Sequence, residues 1–387
     1  MAGIKYLLII VLVITCCLAK AQTDSYQKAD STSYALYLAG NWPQLISYGE
    51  AAISNNTDFP LLRLRIAYAR FITGNYGAAL NQYQQILKHD SHSQAANYYA
   101  YLCNLYLNRD DMAAYHLTFV HDTTFSARPS SVKVLSITAE HGFRSSSNYF
   151  RGNGNYTRIG LATQLGHKLS LDQSFIHFGQ GITFLDQYRL VNNPVKQFEY
   201  YSKLNYALNN KLAIFGAYHY LNTKYSNSTF NNSIGIAGVK YSTAYAVLQA
   251  DASTGTIGTT QVQQYNAQLS FYPAGNLNFY TVSRGSLLRQ GKTNFAFSQT
   301  LGAKIINHFW LEGNATLGTL DDYLDNDGLY VYNAIDIIKF KTGGTGYYQL
   351  NNHILLYVNY TFEQKNDYYR NANYNLHSVT GGLTWKF

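Results

Sequence analysis

From about residue 132 to its last residue, Phe387, the chain alternates apolar and polar side chains with a period of two. Tyr265, Ala267, Leu269 and Phe271 alternate with Gln264, Asn266, Gln268 and Ser270, and Phe309, Leu311, Gly313, Ala315 and Leu317 with Trp310, Glu312, Asn314, Thr316 and Gly318. Ile354, Leu356, Val358, Tyr360 and Phe362 repeat the pattern against Asn359, Thr361 and Glu363. Successive strand side chains point to opposite faces, so each run is a strand with one apolar and one wet face. About fourteen such runs lie near 132–141, 155–166, 169–184, 196–208, 211–222, 231–241, 244–253, 261–272, 277–287, 293–305, 308–318, 330–350, 353–363 and 374–387.

Two folds bury one face of so many strands. A soluble β-sandwich packs its apolar faces together, whereas a membrane barrel turns them to lipid. Runs of ten or more residues are long for a sandwich and match a tilted bilayer crossing. The polar face carries Glu199, Lys203, Lys240, Lys304 and Glu312, which suit a hydrated lumen. Tyr200, Tyr206, Tyr218, Tyr220, Tyr272, Tyr360 and Trp385 fall at run ends, where interfacial girdles belong. Charged residues make up 13% and aromatics 16%, with 37 Tyr, a balance that leaves a soluble exterior poorly solvated but suits a surface facing lipid. Short turns are expected at Gly166-His167, Asn209-Asn210, Ser242-Thr243, Pro273 to Asn276, Ile306-Asn307 and Asn351-Asn352, with longer polar loops between them. The expected fold is therefore an antiparallel outer-membrane β-barrel of about 14 strands over 132–387.

The final stretch, Val379 to Phe387, places Val379, Gly381, Leu383, Trp385 and Phe387 on one face and stops on an aromatic. Leu383, Trp385 and Phe387 resemble the terminal strand of bacterial outer-membrane proteins. That resemblance implies recognition by the barrel-assembly machinery, while Gly381 departs from the bulky pattern. A strand ending here closes the barrel against the first one and leaves no free edge.

Residues 1–21 read as a secretory signal: Lys5 supplies the positive region, Tyr6 to Thr15 the apolar run, and Ala19-Lys20-Ala21 a small-x-small cleavage site before Gln22. The apolar run is too short to span a bilayer as a helix. A lipoprotein would use Cys16 or Cys17, but with Thr15 or Cys16 where a small residue is expected. Removing Lys5 and Lys20 leaves 27 basic and 21 acidic residues, a formal charge of +6 instead of +8. That excess is scattered, which argues against nucleic acid as a partner. Cys103 is then the remaining cysteine, so there is neither a disulfide framework nor a thiolate metal site, and Cys103 is expected to be a buried packing residue.

Residues 24–122 have a helical rather than an alternating period, and 123–131 ("TTFSARPSS" with its preceding polar turn) read as a linker. An internal repeat of 34 residues aligns Gly40-Asn41-Trp42, Gly74-Asn75-Tyr76 and Asn108-Arg109-Asp110. Tyr37, Phe71 and Leu105 precede these turns, and Leu45, Ala79 and Ala113, then Ala52, Ile86 and Val120, follow in step. The segment resembles the tetratricopeptide repeat, best in its middle copy through Ala67, Gly74, Tyr76, Ala79 and Tyr83, although Arg70 and Ser91 depart from the motif. The resemblance implies a concave groove for an extended peptide or partner helix, lined by Tyr34, Tyr37, Leu64, Tyr68, Phe71, Tyr98 and Leu102. Packing of repeat on repeat is the competing role for each of these side chains.

No GxSxG, HExxH or GxxxxGK[ST] motif occurs, and Gly152-Asn153-Gly154 lacks the context of a dinucleotide loop. No catalytic residue, cofactor site or metal site is assigned. His219 with a lumen serine is the remaining route to a hydrolase, and His89 and His92 read as solvated. Asp325, Asp327 and Gly328 mimic part of a calcium loop, but Tyr323 and Ala334 occupy ligand positions, so 321–330 reads as a solvated loop. Repeats before a barrel resemble the layout of YaiO-like outer-membrane proteins, of polysaccharide exporters and of surface-lipoprotein assembly modifiers. That layout implies a non-enzymatic protein of the outer membrane with its repeats in the periplasm. Its repeats would bring a periplasmic protein or polymer to the barrel for export or insertion, or a plugged barrel would anchor an envelope complex.

Overall fold

The computed structural model describes residues 25–121, 132–186, 188–333 and 335–387. The signal segment and the linker 123–131 lie outside the described residues, as does Ala334. Six helices come first: α1 (25–38), α2 (Trp42–Ser54), α3 (Pro60–Ile72), α4 (Tyr76–His89), α5 (Gln94–Tyr106) and α6 (Asp110–Leu117). Each packs on its sequence neighbours. The turns inside the three helix pairs fall at Gly40, Gly74 and Asn108, with φ of 64°, 77° and 56°. This left-handed conformation is one that glycine and asparagine tolerate best, and it explains their recurrence at 34-residue intervals. Leu45, Ala79 and Ala113, equivalent in the repeat, are all buried. Ala67, Leu80, Tyr83, Ala96, Ala100 and Cys103 form the central core.

Sixteen strands follow among the described residues: β1 (Lys133–Ser146), β2 (Arg151–Gly166), β3 (Leu169–Asp186), β4 (Arg189–Ala207), β5 (Leu212–Tyr225), β6 (Ser228–Ser242), β7 (Ala246–Ile257), β8 (Thr260–Phe271), β9 (Phe279–Gln290), β10 (Lys292–Ile306), β11 (Phe309–Leu320), β12 (Tyr323–Asp325), β13 (Tyr330–Tyr332), β14 (Ile337–Gln349), β15 (Ile354–Asp367) and β16 (Ala372–Lys386). Fourteen of them close a single antiparallel barrel, with β1 paired to β16, while β12 and β13 form a separate hairpin. Among the described residues no second sheet covers the outward apolar faces. Phe175, Phe295, Val358 and Ile159 point outward at 58–65% exposure, the pattern of a lipid-facing wall.

Closure runs through the last residues. Trp385 lies opposite Ile137 and Leu383 opposite Ala139. The backbone N–H of Phe387 still donates to Leu135 at 3.1 Å. Val379, Leu383, Trp385 and Phe387 share the outward face.

Two expectations need correction. The end opposite the chain termini does not carry a set of long loops. The connections 147–150, 226–227, 258–259, 291 and 368–371 are tight, because the strands run on into what the sequence pattern left as loop; β4 is 19 residues long. A crossing uses roughly 9–11 residues, so the excess projects beyond hydrocarbon, where polar residues no longer break the pattern's logic. The run 330–350 is also not one strand: β14 begins at Ile337, and the residues before it belong to the one long connection at this distal end, 321–336.

Candidate functional site

Residues 321–333, with 335 and 336, fold inward and fill the middle of the lumen. The hairpin β12–β13 pairs Tyr323 with Tyr332 and Asp325 with Tyr330. Its tip turns through Asn326, Asp327 and Gly328, all at positive φ. Gly328 is pressed against Ile236, whose Cδ1 would lie 2.8 Å from an added Cβ, so the tip has no room for a side chain there.

Polar contacts fix it to the wall on several sides. Lys203 Nζ donates to Asp327 Oδ2 at 2.6 Å and Gln249 Nε2 to Asp327 Oδ1 at 2.6 Å. The Tyr201 hydroxyl donates to the Asp327 carbonyl at 3.1 Å. Gln264 pairs with the Leu324 backbone as a neighbouring strand would, accepting from its N–H at 2.9 Å and donating to its carbonyl at 2.7 Å. Lys341 bridges Asp325 at 3.2 Å, and Arg151 grips Asp336 with two N–H groups at 2.5 and 2.8 Å. Apolar contacts complete the fit: Leu324 joins Phe215, Leu221, Ile234, Ile236, Ile257 and Val262, and Tyr323 joins Leu288, Leu320 and Ile338. The solvated loop expected for this segment is thus overturned. Its carboxylates Asp325 and Asp327 are occupied by cationic side chains, since a buried carboxylate needs such partners.

The hairpin divides the lumen. A cavity of about 330 Å³ lies on its distal side and one of about 790 Å³ on the side of the chain termini. Arg144, Tyr156, Tyr330 and Tyr332 line both, and so mark where the two chambers meet. Close by, Glu140 accepts two bonds from Arg158, at 2.6 and 2.9 Å, and further bonds from Tyr156, Tyr330 and Tyr357.

The five charged residues singled out in the sequence all take the inward face. Glu199 accepts from Gln197 at 2.6 Å and lies 2.8 Å from His219 Nε2. Lys203 and Lys240 both approach the Phe215 ring, at 4.8 and 5.4 Å. Glu312 accepts from the Tyr280 hydroxyl at 2.8 Å. Lys304 lies apart from both chambers, over the Trp310 ring at 5.3 Å. His219 is not poised beside a serine: its Nδ1 faces the Gly328 carbonyl at 2.6 Å and Nε2 faces Glu199, so it braces the hairpin. Sequence reasoning missed the hairpin itself and the buried contacts of Arg284, Asp251 and Gln264. Phe215, Leu221, Ile234 and Ile236 on the inward parity were the available signal, because a water-filled lumen has no use for them.

The helical domain lies against the end bearing the chain termini. Gly77 N–H donates to the Gly275 carbonyl at 2.8 Å, and Asn276 donates to the Gly74 carbonyl at 3.0 Å. An added Cβ at Gly77 would stand 2.6 Å from the Ala244 carbonyl oxygen, so glycine is what lets the two backbones meet. Arg109 donates to the Thr243 carbonyl at 2.5 Å and stacks on Tyr272 at 5.1 Å. Tyr272 therefore belongs to this junction and not to an interfacial girdle. Met112 packs on Ala207 and Ala213, and Lys168 lies over Tyr115.

Of the residues assigned to a groove, Tyr37 meets Trp42 and Tyr68, Tyr68 meets Trp42 and Tyr99, and Phe71 meets Tyr76, Tyr99 and Tyr106, all edge-on or tilted. Leu64 and Phe71 pack against the central core. Tyr98 stacks on Tyr99 and Tyr101, Leu102 is half-buried, and Tyr34 is exposed beneath the Arg65 guanidinium. Tyr99, absent from the sequence assignment, is the hub of this aromatic set. Burial pushes the Cys103 thiol up, which fits a packing residue. Burial also lowers His116 to about 4; its Nδ1 meets Asn97 Oδ1 at 3.0 Å and its Nε2 has no hydrogen-bond partner among the described residues. His89 and His92 are exposed.

No family model matches the sequence and no curated protein matches it, so the tetratricopeptide resemblance rests on the residues alone. Solved structures similar in outline include the toluene transporter TodX of Pseudomonas putida, with TM-score 0.44 and 9% identity over 70% of this chain and 91% of that one. A FadL homologue of Pseudomonas aeruginosa has TM-score 0.44 and 8% identity over 73% and 97%. Omp33 of Acinetobacter baumannii has TM-score 0.39 and 8% identity over 66% and 99%. Similarity at this level carries no argument about what this chain does.

Proposed function

We propose that this chain is a non-enzymatic outer-membrane conduit, closed at rest by its own 321–336 segment. Its helical domain faces the periplasm and brings a periplasmic protein or polymer to the barrel for export or insertion. One observation carries the closed-conduit reading. β11 and β14 pair up to Leu320 and Ile338, so the wall is complete without the intervening residues, whereas the other distal connections manage the same reversal in one to four. A segment that the wall does not need, yet which is fixed by buried ion pairs, serves the lumen. A polar lumen removes the cost of carrying polar groups across hydrocarbon once the segment moves aside.

A second reading, a permanently plugged anchor for an envelope complex, draws support from the backbone-to-backbone docking at Gly77 and Gly275. The two part in planar bilayers. Replacing 321–336 by an Asn-Gly turn, a pair suited to tight hairpins, is expected to convert a quiet barrel into one with steady conductance. If that variant remains closed even after removal of residues 25–121, the conduit reading fails and the anchor stands.

A further inference from the structure

The two chambers differ in lining. The distal one is lined by Ile176, Ile182, Val195 and Phe230, with the first two buried, and by charged groups set among them, Glu199 opposite Ile176 and Arg151 opposite Ile182. Five charged residues face it: Arg144, Arg151 and Lys365 against Glu199 and Asp336. Four are already committed. Arg151 pairs with Asp336, Lys365 with Glu363 at 3.3 Å, and Glu199 with His219. Arg144 is the exception: its guanidinium lies over the Phe178 ring at 5.1 Å and, although its charge reaches the Glu363 carboxylate, it makes neither a hydrogen bond nor an ion pair among the described residues. A planar fork of donors left free beside an apolar wall is complementary to a carboxylate carrying an apolar body.

We propose that the distal cavity binds a small amphipathic carboxylate, its head on Arg144 and its aryl or branched alkyl body against Ile176, Ile182, Val195 and Phe230. The cavity of about 330 Å³ equals roughly eleven liquid-water volumes, which sets the body at about a dozen non-hydrogen atoms. Because Arg144 lines both chambers, the bound head group sits at their junction, against Tyr330 and Tyr332 of the hairpin. The assignment goes beyond the conduit reading, since a site that binds without ever conducting satisfies it equally.

The test is calorimetric titration of the full-length protein in detergent with 4-phenylbutyrate, against the uncharged 4-phenylbutan-1-ol. Saturable binding of the acid is expected, with the alcohol at least about tenfold weaker. Arg144→Gln is expected to weaken the acid by about tenfold or more and to leave the alcohol within about twofold, as loss of a charge-assisted contact requires. Arg144→Lys keeps part of the preference, and Val195→Trp, which fills the apolar half, abolishes binding of both. Heat-dependent gel migration reports whether each variant is folded. Absence of saturable binding of the acid to the unaltered protein overturns the proposal, as does equal affinity for acid and alcohol. Conductance measurements bear on the conduit alone, so the failure of one reading is distinguishable from failure of the other.

Discussion

The helical domain and the barrel are built inside out relative to each other. In the helices, Leu62, Ile66, Leu80 and Tyr83 are buried and the ion pairs Arg63–Asp58, Arg65–Asp30 and Arg70–Glu50 reach the surface. In the barrel, Phe175, Phe295, Leu301 and Leu311 face out, and the buried groups include Glu140, Arg151, Asp251, Arg284, Glu363 and Asp367. Water surrounds the first, so apolar burial holds it and the exposed pairs contribute little. Lipid surrounds the second, so its interior is free to be polar, and a lost partner there is costly because no water replaces it.

The largest expected effect tests that contrast directly. Asp327→Ala leaves Lys203 without its acceptor and takes one of two acceptors from Gln249, and breaking a buried pair in this way costs about 3–5 kcal/mol. The hairpin is then expected to leave the lumen part of the time, seen as bursts of conductance and as proteolysis within 321–336. An Asp327→Ala barrel as quiet and as resistant as the unaltered one would mean that the interior network does not hold the segment.

Neighbouring positions on one strand sharpen the comparison. Leu301 points outward and Thr300 lines the larger chamber. Leu301→Arg is expected to cost about 2–4 kcal/mol in vesicles, as a charge near the bilayer midplane does. Thr300→Arg, one residue away, is expected to cost less than about 1 kcal/mol, because its side chain enters the polar lumen. Urea titration in lipid vesicles measures both, and similar costs would remove the distinction between the faces.

A smaller effect separates the two domains by pH. His116 is held neutral in the folded domain, near 4 against an ordinary 6.5, by burial. The unfolded chain therefore binds the extra proton first, and the stability tied to the neutral ring is full above pH 6.5 and falls as pH drops toward 4. The loss amounts to about 2 kcal/mol at pH 5. Protection factors of the α5 and α6 amides, corrected for the intrinsic pH dependence of exchange, are expected to fall between pH 7 and pH 5, and His116→Gln to flatten that slope. An unchanged slope in the variant would assign the pH dependence elsewhere.

Much of the wall was legible in the sequence because the strand period is two and lipid demands apolar residues on one face without exception. Glu199, Lys203, Lys240, Lys304 and Glu312 took the inward face for that reason. The helix turns were legible through Gly40, Gly74 and Asn108, whose left-handed backbone restricts the residue choice. The strand ends were not, since above the hydrocarbon either face tolerates polar residues and the alternation fades. Asp325 and Asp327 read as solvated because their cationic partners, Lys341 and Lys203, stand on strands remote in sequence.

Alternation and the 34-residue spacing are local properties, and each is enforced by the backbone or by the surrounding solvent. They determined that helices precede a closed sheet with an apolar exterior. Which connection would turn inward, where Arg144 would be left without a direct ion pair, and that Gly77 would meet Gly275 all depend on strands brought together by closure. Only the tertiary structure decided those, because charge pairing and close backbone approach act across space and leave no period along the chain.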